Sequence, residues 1–237
     1  MEYQVKQMKM KALKAAFPHT IPVMTGYLFL GMAYGIYMRV SGFPLWYPLL
    51  TSIIIFGGSL EFLLVTMLMA PFAPLETFVM AVLLQARHLF YGLAMLDKYK
   101  DQGKKKCYLI YALTDETFSL NCSIDAPEET DKGWFMFFVS LLDHCYWISG
   151  ATLGGLLGSL ITFDTDGISF VMTAMFTVIF LEQLLKEKKH HSSFIGFISS
   201  LICLYAFGKG GFLVPAMLMI MILLTVFRKA IEKGEGS

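Results

Sequence analysis

Eight apolar stretches, at 21–38, 45–70, 78–96, 107–122, 134–162, 168–185, 194–207 and 212–227, occupy most of this 237-residue chain. A helix that spans a bilayer needs roughly 20 apolar residues, so runs of this length constrain the fold before any other feature does. Backbone polar groups find no water in hydrocarbon, and helices satisfy them internally. Hydrophobic residues make up 56% of the sequence, above an ordinary globular composition, and little chain remains for a soluble domain. The expectation is an all-α, polytopic integral membrane bundle in which residues 1–237 form a single domain.

The charged residues are sorted by position. Lysines cluster at Lys6, Lys9, Lys11 and Lys14, at Lys98, Lys100, Lys104, Lys105 and Lys106, and at Lys186, Lys188 and Lys189; Arg228, Lys229 and Lys233 close the chain. The positive-inside rule places all four clusters in the cytoplasm. A lysine-bearing start before an apolar run also resembles a signal peptide, but the many later spans favour an uncleaved first helix. A net charge of +1 argues against a nucleic-acid binder, which would need a clustered basic face. Cys107, Cys122, Cys145 and Cys203 lie far apart, so neither a disulfide framework nor a zinc site is readable from them.

Cytoplasmic lysines at both ends of an interval require an even number of crossings between them. Three apolar stretches separate Lys14 from Lys98, and three separate Lys106 from Lys186. One stretch in each interval is therefore expected not to cross as a continuous helix. The first suspect is 45–70, which begins with Pro44 and Pro48 nearby and contains the weak helix formers Gly57, Gly58 and Ser59. The second is 107–122, which is short and contains Thr114, Asp115, Glu116 and Thr117. Discontinuous helices of this kind line substrate sites in secondary transporters. About six full crossings plus two broken or re-entrant segments are expected, with both termini cytoplasmic. The sequence carries no evident 20–50-residue period, although a diverged inverted repeat would leave none. Gly31 with Gly35, and Gly150 with Gly154 and Gly158, recur at the small-xxx-small spacing that lets helix backbones approach closely. A polar loop is expected around Pro127 and a turn at 164–167.

Glu61 is the only charged residue between Arg39 and Glu76. A charge at the centre of a membrane helix costs about 2.5–3.5 kcal/mol on insertion scales, and such charges are usually functional. A helix broken at Gly57 and Gly58 leaves unpaired N–H groups at the start of its second half, an end that binds carboxylates. Ser59 is expected to cap that end, with Glu61 in its first turn. Backbone N–H would then take a substrate carboxylate and Glu61 an ammonium; otherwise Glu61 stabilises the half-helix or pairs with Arg87. Arg87 and His88 lie midway along 78–96, with Leu84, Arg87 and Tyr91 on one helical face and Gln85, His88 and Gly92 on another. Arg87 suits a carboxylate, from a side chain or a substrate; His88 is a candidate for proton coupling. Thr114, Asp115, Glu116 and Thr117 read as a helix cap. Asp143 and His144 read as a proton relay, a polar helix contact, or a sign that the helix at 134–162 starts later. No H-E-x-x-H or G-x-S-x-G motif supports an enzyme, and no metal or other cofactor is implied.

Three blocks then fit together. Phe56-Gly57-Gly58-Ser59-Leu60-Glu61-Phe62, Arg87-His88-Leu89-Phe90-Tyr91-Gly92 and Leu113-Thr114-Asp115-Glu116-Thr117-Phe118-Ser119 resemble, in order and spacing, the signature blocks of the AzlC-type branched-chain amino acid permease family. The pattern of Pro22, Gly26, Gly31 and Gly35 and the later one of Gly150, Gly154, Gly155 and Gly158 also resemble that family, so the likeness covers nearly the whole chain. It implies the large subunit of an exporter of Leu, Ile, Val and similar apolar amino acids such as Met. It further implies a small AzlD-like membrane partner, gradient coupling and a place in the bacterial cytoplasmic membrane. Many relatives of that family carry Gln where this chain has Glu61, which weakens an obligatory proton-carrier role there. The expected substrate-binding set is Gly57, Gly58, Ser59, Glu61, Arg87, Asp115 and Glu116, and the expected proton-coupling set is His88, Asp143 and His144. A non-transporting membrane scaffold, or a channel or importer for small solutes, is the alternative.

Overall fold

The computed structural model describes residues 2–128, 130–160, 177, 180, 181, 184, 185, 190–208 and 212–235. Every regular element among them is a helix: α1 (Glu2–Val40), α2 (Trp46–Ile54), α3 (Gly58–Met69), α4 (Pro74–Leu84), α5 (Arg87–Ala94), α6 (Leu96–Tyr99), α7 (Lys105–Tyr111), α8 (Asp115–Ser123), α9 (Lys132–Gly158), α10 (His191–Phe207) and α11 (Leu213–Glu235). Among the described residues, Lys6–Val40 is the one helical segment long and apolar enough to cross a bilayer unaided; Thr77–Leu84 and Arg87–Ala94 pass the same test only when taken together. The stretch expected at 168–185 and the turn at 164–167 lie outside the described residues.

The chain divides into two compact units, one of Met1–Ala73 with Leu84–Ile168 and one of Pro74–Leu83 with Ser169–Ser237. In the second unit α10 and α11 pack on each other, and Phe194, Ile198 and Ile202 face Met219 and Leu223 across an apolar groove.

The first unit is built on α1 and α9, which run parallel. Thr20 meets Tyr146, Gly31 lies against Gly150 and Ala151, and Gly158 lies against Arg39. The glycines make this contact possible. A Cβ on Gly35 would fall 2.0 Å from the Ala151 carbonyl oxygen, and one on Gly154 would fall 2.1 Å from that of Met32. Only glycine lets the backbones come this close. At the start of the pair, Lys9 and Lys105 place their ammonium groups 4.3 and 4.7 Å from the ring centre of Trp134, a favourable stacking of cation on indole. Two of the lysine clusters therefore lie at the same end of this unit. A buried cluster of Ala16, Met95, Tyr99, Leu109, Leu113, Phe135, Met136 and Val139 fills that end.

Both suspect stretches are broken, and each forms a helical hairpin. The chain α2 runs down α9 from Pro48 beside Gly155 to Ser52 beside His144. After residues 55–57, α3 turns back: Gly58 lies against Trp147, and Phe62 reaches Tyr34 and Tyr37 of α1. The other hairpin enters from the lysine end. Helix α7 follows α9 from Asp131 to His144, and α8 returns past Asp143 and Ser140. Its last carbonyls, on Asn121 and Cys122, accept from Lys98, which satisfies groups a helix end otherwise leaves open.

Three expectations need correction. The stretch 78–96 is interrupted between Leu84 and Arg87, where His88 and Leu89 donate to carbonyls three residues back, at Gln85 and Ala86. Arg87 thus opens a new helix instead of sitting mid-helix. Helix α9 starts at Lys132, earlier than expected, because Asp131 accepts from the Trp134 N–H and caps it. Ser59 does not cap α3; the cap position is Gly57, without a side-chain cap bond.

Candidate functional site where two hairpins meet

The tips of the two hairpins meet beside α1 and α9. Phe56 stacks on His144 at 4.3 Å and stands edge-on to Tyr27. Tyr111 donates its hydroxyl to the Ile53 carbonyl. His144 Nε2 lies 3.1 Å from the Ser52 carbonyl oxygen, and its Nδ1 lies 3.0 Å from the Tyr108 hydroxyl. A carbonyl only accepts, so Nε2 carries a proton and the neutral ring accepts from Tyr108 at Nδ1. His144 and Tyr111 therefore satisfy the last open carbonyls of α2.

Chain reversal at the first tip uses Phe56, whose φ of +44° is the one positive value at a non-glycine residue among those described. Such a conformation is uncommon without glycine, and burial of the ring against His144 and Tyr27 holds it. The neighbouring glycines serve close approach instead. A Cβ on Gly57 would meet Gln85 Nε2 at 2.5 Å, and one on Gly58 would meet Trp147 at 3.1 Å.

Glu61 is fully buried. Its Oε2 accepts from the Trp147 indole N–H at 2.7 Å and from the Gly57 N–H at 3.2 Å. Glu61 thus reaches back over the start of its own helix, as the acidic residue of a capping box does, and ties α3 to α9. Arg87 pairs elsewhere. One of its terminal nitrogens donates to Ser59 Oγ at 3.3 Å and to Asp115 Oδ2 at 3.2 Å. It thereby connects the N-terminal turns of α3 and α8, two half-helices whose positive dipole ends lie at one junction. Thr114 caps α8 by accepting from the Thr117 N–H, as the sequence implied.

Several buried polar atoms at the junction have no protein partner: Glu61 Oε1, Gln85 Oε1, Arg87 Nε and Asp115 Oδ1. Unpaired buried groups cost about 1–3 kcal/mol each, so their convergence is not explained by packing. The Arg87–Asp115 pair is more than a third exposed on both sides; a pair of that kind is worth about 0–1 kcal/mol, too little to be the reason for these charges. Gly57, Gly58, Ser59, Arg87 and Asp115 are thus brought together, with Glu61 just behind them. Glu116 turns to Tyr27, whose hydroxyl lies 2.7 Å from its Oε2. Asp143 lies deeper, accepting from Thr117. His88 Nδ1 donates to the Gln85 carbonyl and stands edge-on to Tyr91, within electrostatic reach of Asp115 and Arg87. Sequence reasoning passed over Tyr27, whose only signal is a hydroxyl in an apolar span beside Gly26. It noted Gln85 only as a helix-face neighbour of His88.

Among the described residues no group of three or more His, Cys, Asp or Glu is arranged to hold a metal. No solved structure matches the chain. The chain is 51% identical over 226 residues to the branched-chain amino acid transport protein AzlC of Bacillus subtilis, covering 95% of this chain and 89% of that one. It is 46% identical to a membrane protein of Haemophilus influenzae, over 91% and 89% of the two chains. A third relative, the inner membrane protein YgaZ of Escherichia coli, is 21% identical over 73% of this chain and 72% of its own. The Bacillus relative is named as a transporter and not as an enzyme. The family model described as AzlC protein matches residues 22–161, which hold both hairpins, Arg87 and α9. The chain belongs to the AzlC family.

Proposed function

We propose that this protein is a membrane transporter that exports branched-chain and similar apolar amino acids, and that the junction of the two hairpins is its substrate site. The observation that carries this reading is Arg87 joining the N-terminal turns of α3 and α8 amid polar atoms without partners. An amino acid supplies what that arrangement lacks. Its carboxylate accepts from Arg87 Nε and from the first N–H groups of α3, which has no side-chain cap. Its ammonium donates to Asp115 Oδ1 and Gln85 Oε1, with Glu61 supporting the helix start. Gly57 and Gly58 let Gln85 and Trp147 close on the start of α3, and Ser59 orients Arg87. Glu116 lines the second half-helix. The aliphatic substrate class comes from the name of the Bacillus relative, and apolar surroundings suit such a side chain.

Residues 1–237 act in this reading as one multi-pass domain of the bacterial cytoplasmic membrane, with about six crossings, the two hairpins re-entrant and both termini cytoplasmic. Lys9 and Lys105 on one indole support the shared side of their clusters. The opposed hairpins are what an inverted repeat would produce. A small AzlD-like subunit completes the exporter, and energy comes from a transmembrane gradient. Cells loaded with Leu- or Val-containing dipeptides will release the free amino acid faster with the protein and its small partner than without them. Equal efflux in all cases defeats the export reading, and gradients of either sign imposed on reconstituted vesicles separate a coupled exporter from a channel or importer.

A further inference from the structure

A chain of short hydrogen bonds crosses the second hairpin tip. Glu116 Oε2 and the Tyr27 hydroxyl are 2.7 Å apart, Tyr27 and Thr114 Oγ1 2.7 Å, Thr114 and Thr117 Oγ1 2.9 Å, and Thr117 and Asp143 Oδ2 2.9 Å. Each of these four oxygen–oxygen contacts needs a hydrogen between its atoms. Tyr27, Thr114 and Thr117 supply one hydroxyl proton each, so three protons serve four contacts. The fourth proton must sit on a carboxyl group, at one end of the chain or the other.

Both placements satisfy every contact. With the proton on Glu116, Glu116 donates to Tyr27, Tyr27 to Thr114, Thr114 to Thr117 and Thr117 to Asp143. With the proton on Asp143, every donor reverses. Moving from the first state to the second breaks and forms one O–H bond at each hydroxyl. It leaves Glu116 ionised and Asp143 neutral, with no net gain or loss of protons along the chain. The Thr117 backbone N–H, 3.3 Å from Thr114 Oγ1, uses the remaining lone pair of Thr114 in either state. The ends differ in access: Glu116 is exposed, whereas Asp143 is fully buried.

We propose that Glu116, Tyr27, Thr114, Thr117 and Asp143 form a proton wire that holds one proton shared between its two carboxyl ends and couples transport to proton movement. The coupling part rests on the transport reading above; the shared proton does not. Charged and titratable groups face both ends. Glu116 is flanked by Asp115, with Arg87 and Tyr91 on α5 and Tyr27 on α1. Asp143 faces Glu116 and Tyr27, with Tyr108 on α7, and adjoins His144 on its own helix. Arg87 is held by Asp115 beside the exposed end, so a substrate that engages Arg87 changes the field at Glu116 directly.

Two measurements on the purified full-length protein decide the matter separately. Infrared absorption of protonated carboxyl groups, compared between the wild type and an E116Q/D143N variant, will differ by one carboxylic acid at neutral pH. A difference of none or of two overturns the shared proton. In proteoliposomes given a leucine gradient, an enclosed pH dye will report protons moved per leucine, normalised to leucine exchange in the same preparation. That ratio will fall to the leak of protein-free vesicles in Tyr27→Phe and Thr117→Val, and Thr117→Ser will restore it. A ratio unchanged in Tyr27→Phe and Thr117→Val overturns the coupling role. Wild-type vesicles that move no leucine overturn the transport reading and with it the coupling, while the infrared result still stands or falls alone.

Discussion

Gly35→Ala adds one methyl group where α1 meets α9. That Cβ would lie 2.0 Å from the Ala151 carbonyl oxygen, 2.5 Å from the Gly155 nitrogen and 2.9 Å from the Gly154 carbonyl carbon. All three are backbone atoms and cannot rotate away. Ordinary contact begins at 3.4 Å, so the helices must separate by more than an ångström. A heavy-atom contact is worth about 0.1–0.2 kcal/mol, and a gap of that size forfeits up to roughly half of it. The interface runs for three turns, from Tyr27 against Gly150 to Arg39 against Gly158. With on the order of fifty atom pairs there, the loss is about 2–5 kcal/mol. Alanine returns roughly 1 kcal/mol of helix propensity, leaving a net cost of about 1–4 kcal/mol. Gly26→Ala is the internal control, since a Cβ there meets nothing within 4 Å. Thermal unfolding in detergent, followed by tryptophan fluorescence, will show Gly35→Ala melting below the wild type and Gly26→Ala at or above it. If Gly35→Ala melts at or above the wild type, the close parallel packing of α1 and α9 is refuted.

Arg87→Lys will reduce leucine efflux while leaving the melting temperature nearly unchanged, because an ammonium cannot reproduce the guanidinium's several directed donors at the junction; full efflux would reduce Arg87 to a point charge. Asp115→Asn will likewise cost little stability, since the half-exposed pair contributes about 0–1 kcal/mol, yet it will lower efflux by removing a partner for the substrate ammonium. Trp147→Phe removes the strongest donor to Glu61 and will destabilise the fold by about 1.5–3 kcal/mol for the lost bond alone. Glu61→Gln keeps an acceptor for Trp147 and Gly57 and will preserve folding, and unchanged efflux and pH dependence would keep Glu61 outside the proton path. A Lys9→Cys/Lys105→Cys pair will be joined by a short bifunctional thiol reagent, and neither cysteine will be labelled from outside intact cells.

The breaks in 45–70 and 107–122 were legible because lysine parity demanded an interruption and the local residues offered one. Their direction was not. Parity counts crossings and cannot distinguish a broken span from a hairpin that returns to its own side; that depends on contacts such as Phe62 with Tyr34 and Tyr37. The reason for Gly57 and Gly58 was also hidden. Their weak helix propensity marked the place, but the reversal falls on Phe56, and the glycines are needed because Gln85 and Trp147 lie against them. Helical periodicity sets Ser140, Asp143 and Trp147 on one face of α9, and all three are buried with partners on α8 or α3. Tyr27 could not be read, since a tyrosine in an apolar span carries no mark of its partner 87 or 89 residues away.

Trp134 gives the first unit a pivot. The ring receives Lys9 from α1 and Lys105 from α7, and Asp131, which caps the same helix, holds Lys105 from the other direction. Three elements are thus moored at one point, and rotation about that point moves their far ends most. The first hairpin hangs from those far ends, where Pro48 and Leu45 touch Gly155. A small angular change at the lysine end therefore displaces the root of that hairpin, beside Gly155, more than its tip, which is held beside His144 nearer the pivot.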